Sequence, residues 1–200
     1  MNAATVHDDD DLRRFRDDLR ARFLAAREAI VPAEHARLSR DIEAHVETLL
    51  GGWRIGTLGF CWPVRGEFDA RPLVARALAR GLRGALPVVV GADAPLAFRQ
   101  WTPRSEMRED RFGIPIPAAG ATLAPDVILM PVVAFDGGGF RLGYGGGFFD
   151  RSLAALDPRP LAVGIGFECL RADTIRPQPY DLPMDWLVTE TGARQPRNIR

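Results

Sequence analysis

The sequence predicts an α/β fold, a mostly parallel twisted sheet flanked by helices and preceded by a helical hairpin. Three observations predict it. Near the start, apolar residues recur every three or four positions, the period of an amphipathic helix. From residue 53 onward, short runs rich in Val, Ile and Leu alternate with helix-like segments, and buried strands joined by helical crossovers lie parallel. Finally, 46% of the 200 residues are hydrophobic, enough for one core, so a single domain over 1–200 is expected, its hairpin (1–50) packed on an α/β core (53–190).

The elements follow in order. Leu12, Phe15, Leu19, Phe23, Ala26 and Ile30 form one stripe, and Pro32 ends that helix. The aspartates from Asp8 to Asp11 suit its N-terminus, where carboxylates meet the positive end of the dipole and could supply a cap. A second helix is expected over 33–50, with Leu38, Ile42, Val46 and Leu49 inward and Gly51 stopping it. "WRIGTLGFCW" reads as a strand, "ARPLVARALARGL" as a helix with Leu73, Ala77 and Leu78 inward, and "ALPVVV" as a short buried strand, together one β-α-β unit. "LAFRQW" is a further strand, whereas "TPRSEMREDRFGIPIPAAGATLAP" holds too many prolines and glycines to be regular. "DVILMPVVAF" is the next buried strand, and a glycine cluster and the helix "FFDRSLAAL" follow it. "PLAVGIGF" and "DWLVTE" complete the strands. Ligands in such sheets gather at the carboxyl ends of strands.

Composition narrows the function. Twenty-six basic and 26 acidic residues cancel, so no global field draws in nucleic acid or an anionic membrane, and neither is expected as a partner. No apolar run approaches a membrane span, and "MNAATVHDDDDLRRF" lacks the order of a secretory signal, which predicts a cytoplasmic protein. Cys61 and Cys169 are too far apart in sequence for a disulfide framework or metal-ligand spacing and are expected as buried free thiols. There is no lysine. A P-loop lysine, a Schiff base and a lysine general base are therefore excluded, and every cationic role falls to arginine. His7, His35 and His45 all lie in the first quarter of the chain; a histidine triad or zinc site beside the glycines would need the fold to bring one there.

The stretch "FRLGYGGGFFDR", Phe140 to Arg151, carries the densest signal. A strand, a glycine-rich loop and a helix in succession present free backbone N–H groups and a positive helix end to an anion. Gly143, Gly145, Gly146 and Gly147 let the main chain wrap oxygens closely, and Arg141 adds a planar cation suited to phosphate. A long turn with glycines at positive φ explains the same residues without a ligand. Asp150 in the first turn of the next helix suits the dipole, or it could hold Mg²⁺ against phosphates. Arg16 and Arg20, four residues apart, share a helix face beside the apolar stripe; they either reach a cleft or form a solvated face with Asp17 and Asp18.

These residues resemble the 5-formyltetrahydrofolate cyclo-ligase family. "DVILMPVVAFDGGGFRLGYGGGFFDRSL" is similar to its signature of strand, proline, "AFD" and then R-L-G-Y-G-x-G-[YF]-[YF]-D-R. "RDDLRARFLAAREAI" resembles the family's K-x-x-L-R start and "CWPVRGEFD" its P-x-x-x-E-[VIF]-[DE] element; "LPVVV", "GIPIP" and "YDLPMDWLVTE" fall in the expected order. The resemblance implies a fold of the type shared with sugar-phosphate isomerases and CoA-transferases. It also implies conversion of 5-formyltetrahydrofolate to 5,10-methenyltetrahydrofolate at the expense of ATP, with Mg²⁺ required and ADP and phosphate released. No protein nucleophile is then needed, so no residue is expected to be catalytic in that sense; positioning and charge neutralisation suffice.

Carried across by position, the resemblance implies ATP contacts from Arg16, Arg20, Arg141, Leu142, Gly143, Tyr144, Gly145, Gly146, Gly147, Phe148 and Phe149. It implies Mg²⁺ on Asp150 and Asp181. Glu67 would bind the folate, with Trp62, Tyr144 and Phe148 supplying flat surface, and the protein is expected to act as a monomer. Three positions depart from the family pattern: Arg16 stands for a lysine, Gly146 for a loop lysine, and Tyr180 for a histidine before the aspartate. Two other readings remain at this point. One is a non-catalytic regulator of the same fold that binds nucleotide or RNA. The other is a sugar-phosphate isomerase or CoA-transferase, which ATP dependence would separate.

Overall fold

Helices α1 (Ala3–Glu28) and α2 (Pro32–Gly51) open the chain in a computed structural model that describes residues 3–196. Pro32 is the first residue of α2, where its missing N–H costs no helical bond. Leu38, Ile42 and Val46 are buried as the spacing requires. The aspartate run does not cap α1. The helix already begins at Ala3, among good helix formers, and its first turn carries no acid. Asp10 and Asp11 therefore sit on exposed turns inside it, and Asp11 accepts from Arg176 Nη1 at 2.9 Å, tying α1 to the C-terminal loop. The side chains of His7, Asp8 and Asp9 lie outside the described residues.

The central sheet is built from β1 (Thr57–Phe60), β2 (Arg83–Val88), β3 (Ala97–Trp101), β6 (Thr122–Leu123), β7 (Val127–Pro131), β10 (Leu161–Ile165), β11 (Trp186–Thr189) and β12 (Gly192–Arg194). Their spatial order is β12-β11-β10-β7-β1-β2-β3-β6. The five central strands are parallel, β12 and β3 run against them at the two sides, and β6 pairs antiparallel with β3 at the outer edge. Helix α3 (Arg71–Ala79) crosses from β1 to β2, and α4 (Phe148–Ala155) lies between β7 and β10. On α3, Leu73 and Val74 are the buried residues, while Ala77 and Leu78 are half-buried. The chain thus leaves the β1–β7 pair in opposite directions. That makes the crevice at the carboxyl ends of β1 and β7 the switch point of the sheet. Helix α2 packs on β11 and β12, while α1 runs over β8 (Ala134–Phe135) and the 3₁₀ turn Glu168–Leu170. Among the described residues no helix is long and apolar enough to cross a membrane.

Two segments differ from expectation. The apolar run 127–135 is not one strand: Pro131 has no N–H to extend the ladder, and the chain leaves the sheet to form a hairpin of β8 with β9 (Arg141–Leu142). The proline-rich stretch, expected to be irregular, contains a second hairpin of β4 (Met107–Glu109) and β5 (Pro115–Pro117), besides edge strand β6. Backbone bonds from Asp110 N to Ile114 O and from Ala118 N to Glu106 O flank it. Pro115 and Pro117 therefore fall on the alternate positions whose N–H would point away from the partner, where proline is tolerated.

Packing in the sheet centre is close. A Cβ on Gly164 of β10 would lie 1.9 Å from Met184 Sδ and 2.9 Å from its Cε, and Met184 is buried. Gly164→Ala is accordingly expected to destabilise the fold by about 1–3 kcal/mol through overpacking, lowering the melting temperature by several degrees. An unchanged melting curve would mean that Met184 swings aside at no cost.

Candidate active site

Strand β1 runs into the segment Cys61 to Phe68, which turns back on itself through Arg65 and Gly66, both at positive φ (51° and 75°). The turn is closed twice, by Glu67 N donating to Val64 O at 3.1 Å and Val64 N donating to Glu67 Oε2 at 3.0 Å. It drives the Glu67 carboxylate into the crevice, where only 6% of the residue is exposed. A small cavity there is lined by Cys61, Glu67, Phe68, Ala70, Leu129, Pro131 and Ile165, the carboxyl ends of β1, β7 and β10. Burial raises the Glu67 carboxyl above its usual range, against the pull of Arg27, the Val64 N–H and Tyr144. Cys61 is a half-buried thiol pushed well up by burial and by Glu67. Cys169, expected to be buried, is exposed because it lies on the 3₁₀ turn outside the sheet.

The partner of Glu67 is a residue that sequence reasoning passed over. Arg27, 2% exposed, donates from Nε to Arg65 O (2.9 Å), from Nη1 to Val132 O (3.1 Å) and from Nη2 to the Tyr144 hydroxyl (2.8 Å). Its Nη2 stands 3.7 Å from Glu67 Oε1, to which the Tyr144 hydroxyl donates at 2.8 Å. One guanidinium thus joins α1, the β1 turn, the exit of β7 and the glycine loop. The signal was in the spacing. Arg16, Arg20 and Arg27 are separated by four and seven residues and fall within about 40° of one another around a helix of 3.6 residues per turn. Phe23 lies on the same strip, which is why Arg27 reads as a gap in an apolar stripe.

Further along that strip, Arg20 Nε donates to Gly143 O at 2.9 Å. The Arg20 guanidinium carbon lies 3.6 Å from where a Cβ of Gly145 would be, so the bare backbone lets the cation come close. Gly145 and Gly147 take φ of 96° and 64°, and Gly147 precedes α4 directly. The loop from Tyr144 to Gly147 is exposed. Among the described residues, no peptide N–H from Gly143 to Asp150 donates to another protein group, which leaves a row of donors at a helix N-terminus. Arg151 braces the loop from below, its Nη2 donating to Gly146 O (2.7 Å) and Ala92 O (3.0 Å).

The other carried-over residues form a second cluster. Arg141 is buried, lowered by that burial and pulled back up by Asp150, whose Oδ2 is 3.2 Å from its Nη2. Arg141 Nη1 donates to Leu182 O at 3.0 Å, and Leu182 N donates to Asp150 Oδ1 at 3.0 Å. Neighbouring Asp181 accepts from Gln178 N (2.7 Å) and from Arg16, which also donates to Ile175 O and Arg176 O. Arg16 and Asp181 are therefore a nearly buried pair joining α1 to the C-terminal loop. Asp181 Oδ1 has no partner among the described residues, and no group of three metal-binding side chains occurs among them. Asp150 is engaged at both oxygens and Asp181 at one, so these are the carboxylates that could hold a Mg²⁺ arriving on phosphates, an ion that takes only one or two carboxylates from a protein.

The aromatics stand apart. Trp62 lies under the Arg71 guanidinium at 4.3 Å. Phe148 packs edge-on to Phe112 at 6.3 Å, and Phe149 lies near Arg141. Leu142 is buried in the β8–β9 hairpin. Of the two described histidines, His45 faces Glu190 O and His35 faces Gly66 O, and neither hydrogen-bonds to the glycine loop.

The family model described as the 5-formyltetrahydrofolate cyclo-ligase family matches residues 13–190. The chain belongs to that family. The cyclo-ligase of Escherichia coli K12 is 29% identical over 170 residues, covering 82% of this chain and 93% of its own. That of Mycolicibacterium smegmatis is 32% identical over 193 residues, covering 88% and 94%. Among solved structures, the NMR structure of Aquifex aeolicus 5,10-methenyltetrahydrofolate synthetase superposes with a TM-score of 0.79 at 28% identity, over 92% of this chain and 94% of that one. The cyclo-ligase family therefore accounts for both the α/β fold with its N-terminal helices and the loop signature.

Proposed function

We propose that the protein is a 5-formyltetrahydrofolate cyclo-ligase that uses ATP to form 5,10-methenyltetrahydrofolate, ADP and phosphate. The observation that carries this reading is the juxtaposition at the sheet's switch point: a row of free peptide donors suited to phosphates stands beside a buried carboxylate suited to a polar heterocycle. Family membership supports the substrate and the reaction.

In the reaction, the formyl oxygen attacks the γ-phosphorus and the bond to ADP breaks. N10 then bonds to the formyl carbon, the carbon–oxygen bond to phosphate breaks, and the N10 proton leaves with the phosphate. Both nucleophiles belong to the substrate. The chain's own residues orient and neutralise. The N–H groups of 143–150 and Arg20 receive the phosphates, and Glu67 accepts from N–H groups of the pterin. Arg141 and Arg16 hold Asp150 and Asp181, which would take Mg²⁺ that spreads phosphate charge when bound.

The test mixes purified protein with 5-formyltetrahydrofolate and MgATP and follows the near-ultraviolet absorbance of the methenyl product, with ATP omitted as control. An ATP-dependent rise is expected, cut by at least about tenfold in Asp150→Asn. Nucleotide binding without any rise would overturn the assignment.

A further inference from the structure

We infer that Tyr144 couples the nucleotide and folate sites, as the residue through which an ordered glycine loop positions Glu67. The inference rests on the cyclo-ligase reading. Tyr144 belongs to the loop by its backbone and to the folate crevice by its side chain: its hydroxyl donates to Glu67 Oε1 (2.8 Å) and accepts from Arg27 Nη2 (2.8 Å). The residue as a whole is half exposed, at 50%. Its two flanking residues are glycines, and four of the seven residues from Arg141 to Gly147 are glycine. Such a segment has many accessible conformations; Arg20 and Arg151 hold its carbonyls at Gly143 and Gly146, and the two hydroxyl contacts alone tie it to the folate crevice.

Phosphates bound along the N–H groups of 143–150 would order the loop from the other side. With less entropy left to lose, the Tyr144 hydroxyl then holds Glu67 and Arg27 in one arrangement for the incoming heterocycle. Glu67 still has room for it, because each carboxylate oxygen accepts two donors and the protein supplies one hydrogen bond to each. Burial beside Glu67 keeps the phenol's pKa well above its usual value, so it remains a donor at working pH. Positive coupling by shared ordering follows and is reciprocal, each ligand tightening the other by the same factor.

The experiment is calorimetric titration of 5-formyltetrahydrofolate with and without a saturating non-hydrolysable ATP analogue and Mg²⁺, on the wild-type protein and Tyr144→Phe. Wild type is expected to bind the folate about five- to tenfold more tightly with the analogue present, within the usual range of such couplings. In Tyr144→Phe that ratio is expected to fall to about one, while the analogue alone still binds through peptide N–H groups. Arg27 can close on Glu67 directly in this variant, so it folds; a melting curve checks that. Folate binding without coupling in wild type, or coupling that survives in Tyr144→Phe, overturns the inference and leaves the cyclo-ligase reading standing. Wild-type protein that binds no folate overturns both.

Discussion

Glu67→Gln is expected to lower kcat/KM for the folate by about two to three orders of magnitude while the protein stays folded. On the proposed reading the magnitude comes from two charge-assisted hydrogen bonds that Glu67 would make to ring N–H groups, at about 1.5–3 kcal/mol each, of which a neutral amide would retain part. Gln keeps the shape and can still accept from Tyr144 (now at 2.8 Å from Oε1), but its NH₂ faces a donor wherever the second oxygen accepted. Steady-state kinetics with a thermal melt on the same sample measures both halves. Activity within threefold of wild type would remove Glu67 from substrate recognition.

The pH profile adds a signature. The folded carboxyl titrates above its unfolded value because burial disfavours the charge. Between those two values the native state holds more protons than the unfolded one, so this group's contribution to stability falls as pH rises through the window. If Glu67 receives the pterin as proposed, recognition by contrast uses the ionised form and rises through the raised value. The acid limb of kcat/KM should therefore vanish in Glu67→Gln, along with that slope in stability.

Arg27→Leu is expected to cost about 3–5 kcal/mol of folding stability, the usual loss when one member of a buried ion pair is removed, and to drop the melting temperature by about 6–20 °C. Leu replaces the stem but leaves Glu67 without its counterion and the carbonyls of Arg65 and Val132 without a donor. Arg27→Lys should recover little of this, because a single ammonium cannot reproduce a fork that serves three acceptors on three segments. Denaturant titration decides it. A loss below about 1 kcal/mol, the value of an exposed pair, would show that Glu67 simply takes up a proton. The double variant with Glu67→Gln should lose less than the sum of the single losses, since it leaves neither charge stranded.

What could be read from the sequence follows the range of the interaction involved. The glycine loop was legible because its chemistry is local: Gly143 to Gly147 and the helix that starts at Phe148 are contiguous. The succession of strands along the chain and the two opening helices were legible because apolar period is local too, whereas the spatial order of the strands was not. The aspartate run misled because helix starts are weakly specified, and alanines at Ala3 and Ala4 carry the helix past them. The β4–β5 hairpin was missed because proline content masks a ladder that needs N–H groups only at alternate residues. Arg16 meets Asp181 across 165 positions and Arg27 meets Glu67 only through the packing of α1 on the sheet. Such pairings depend on the assembled fold, and a single sequence offers no local sign of them beyond an arginine on the wrong side of a helix.

Helix α1 works as a ruler. Arg16 grips the C-terminal loop, Arg20 the glycine loop and Arg27 the β1 turn, so one rigid rod of twelve residues, about 16 Å over eleven steps of 1.5 Å, fixes the spacing of three separate walls. Adding or deleting one residue anywhere between the outer two grips would turn one end by about 100° against the other. Evolution and engineering alike can then vary the composition of this helix's outer face freely, but not its length.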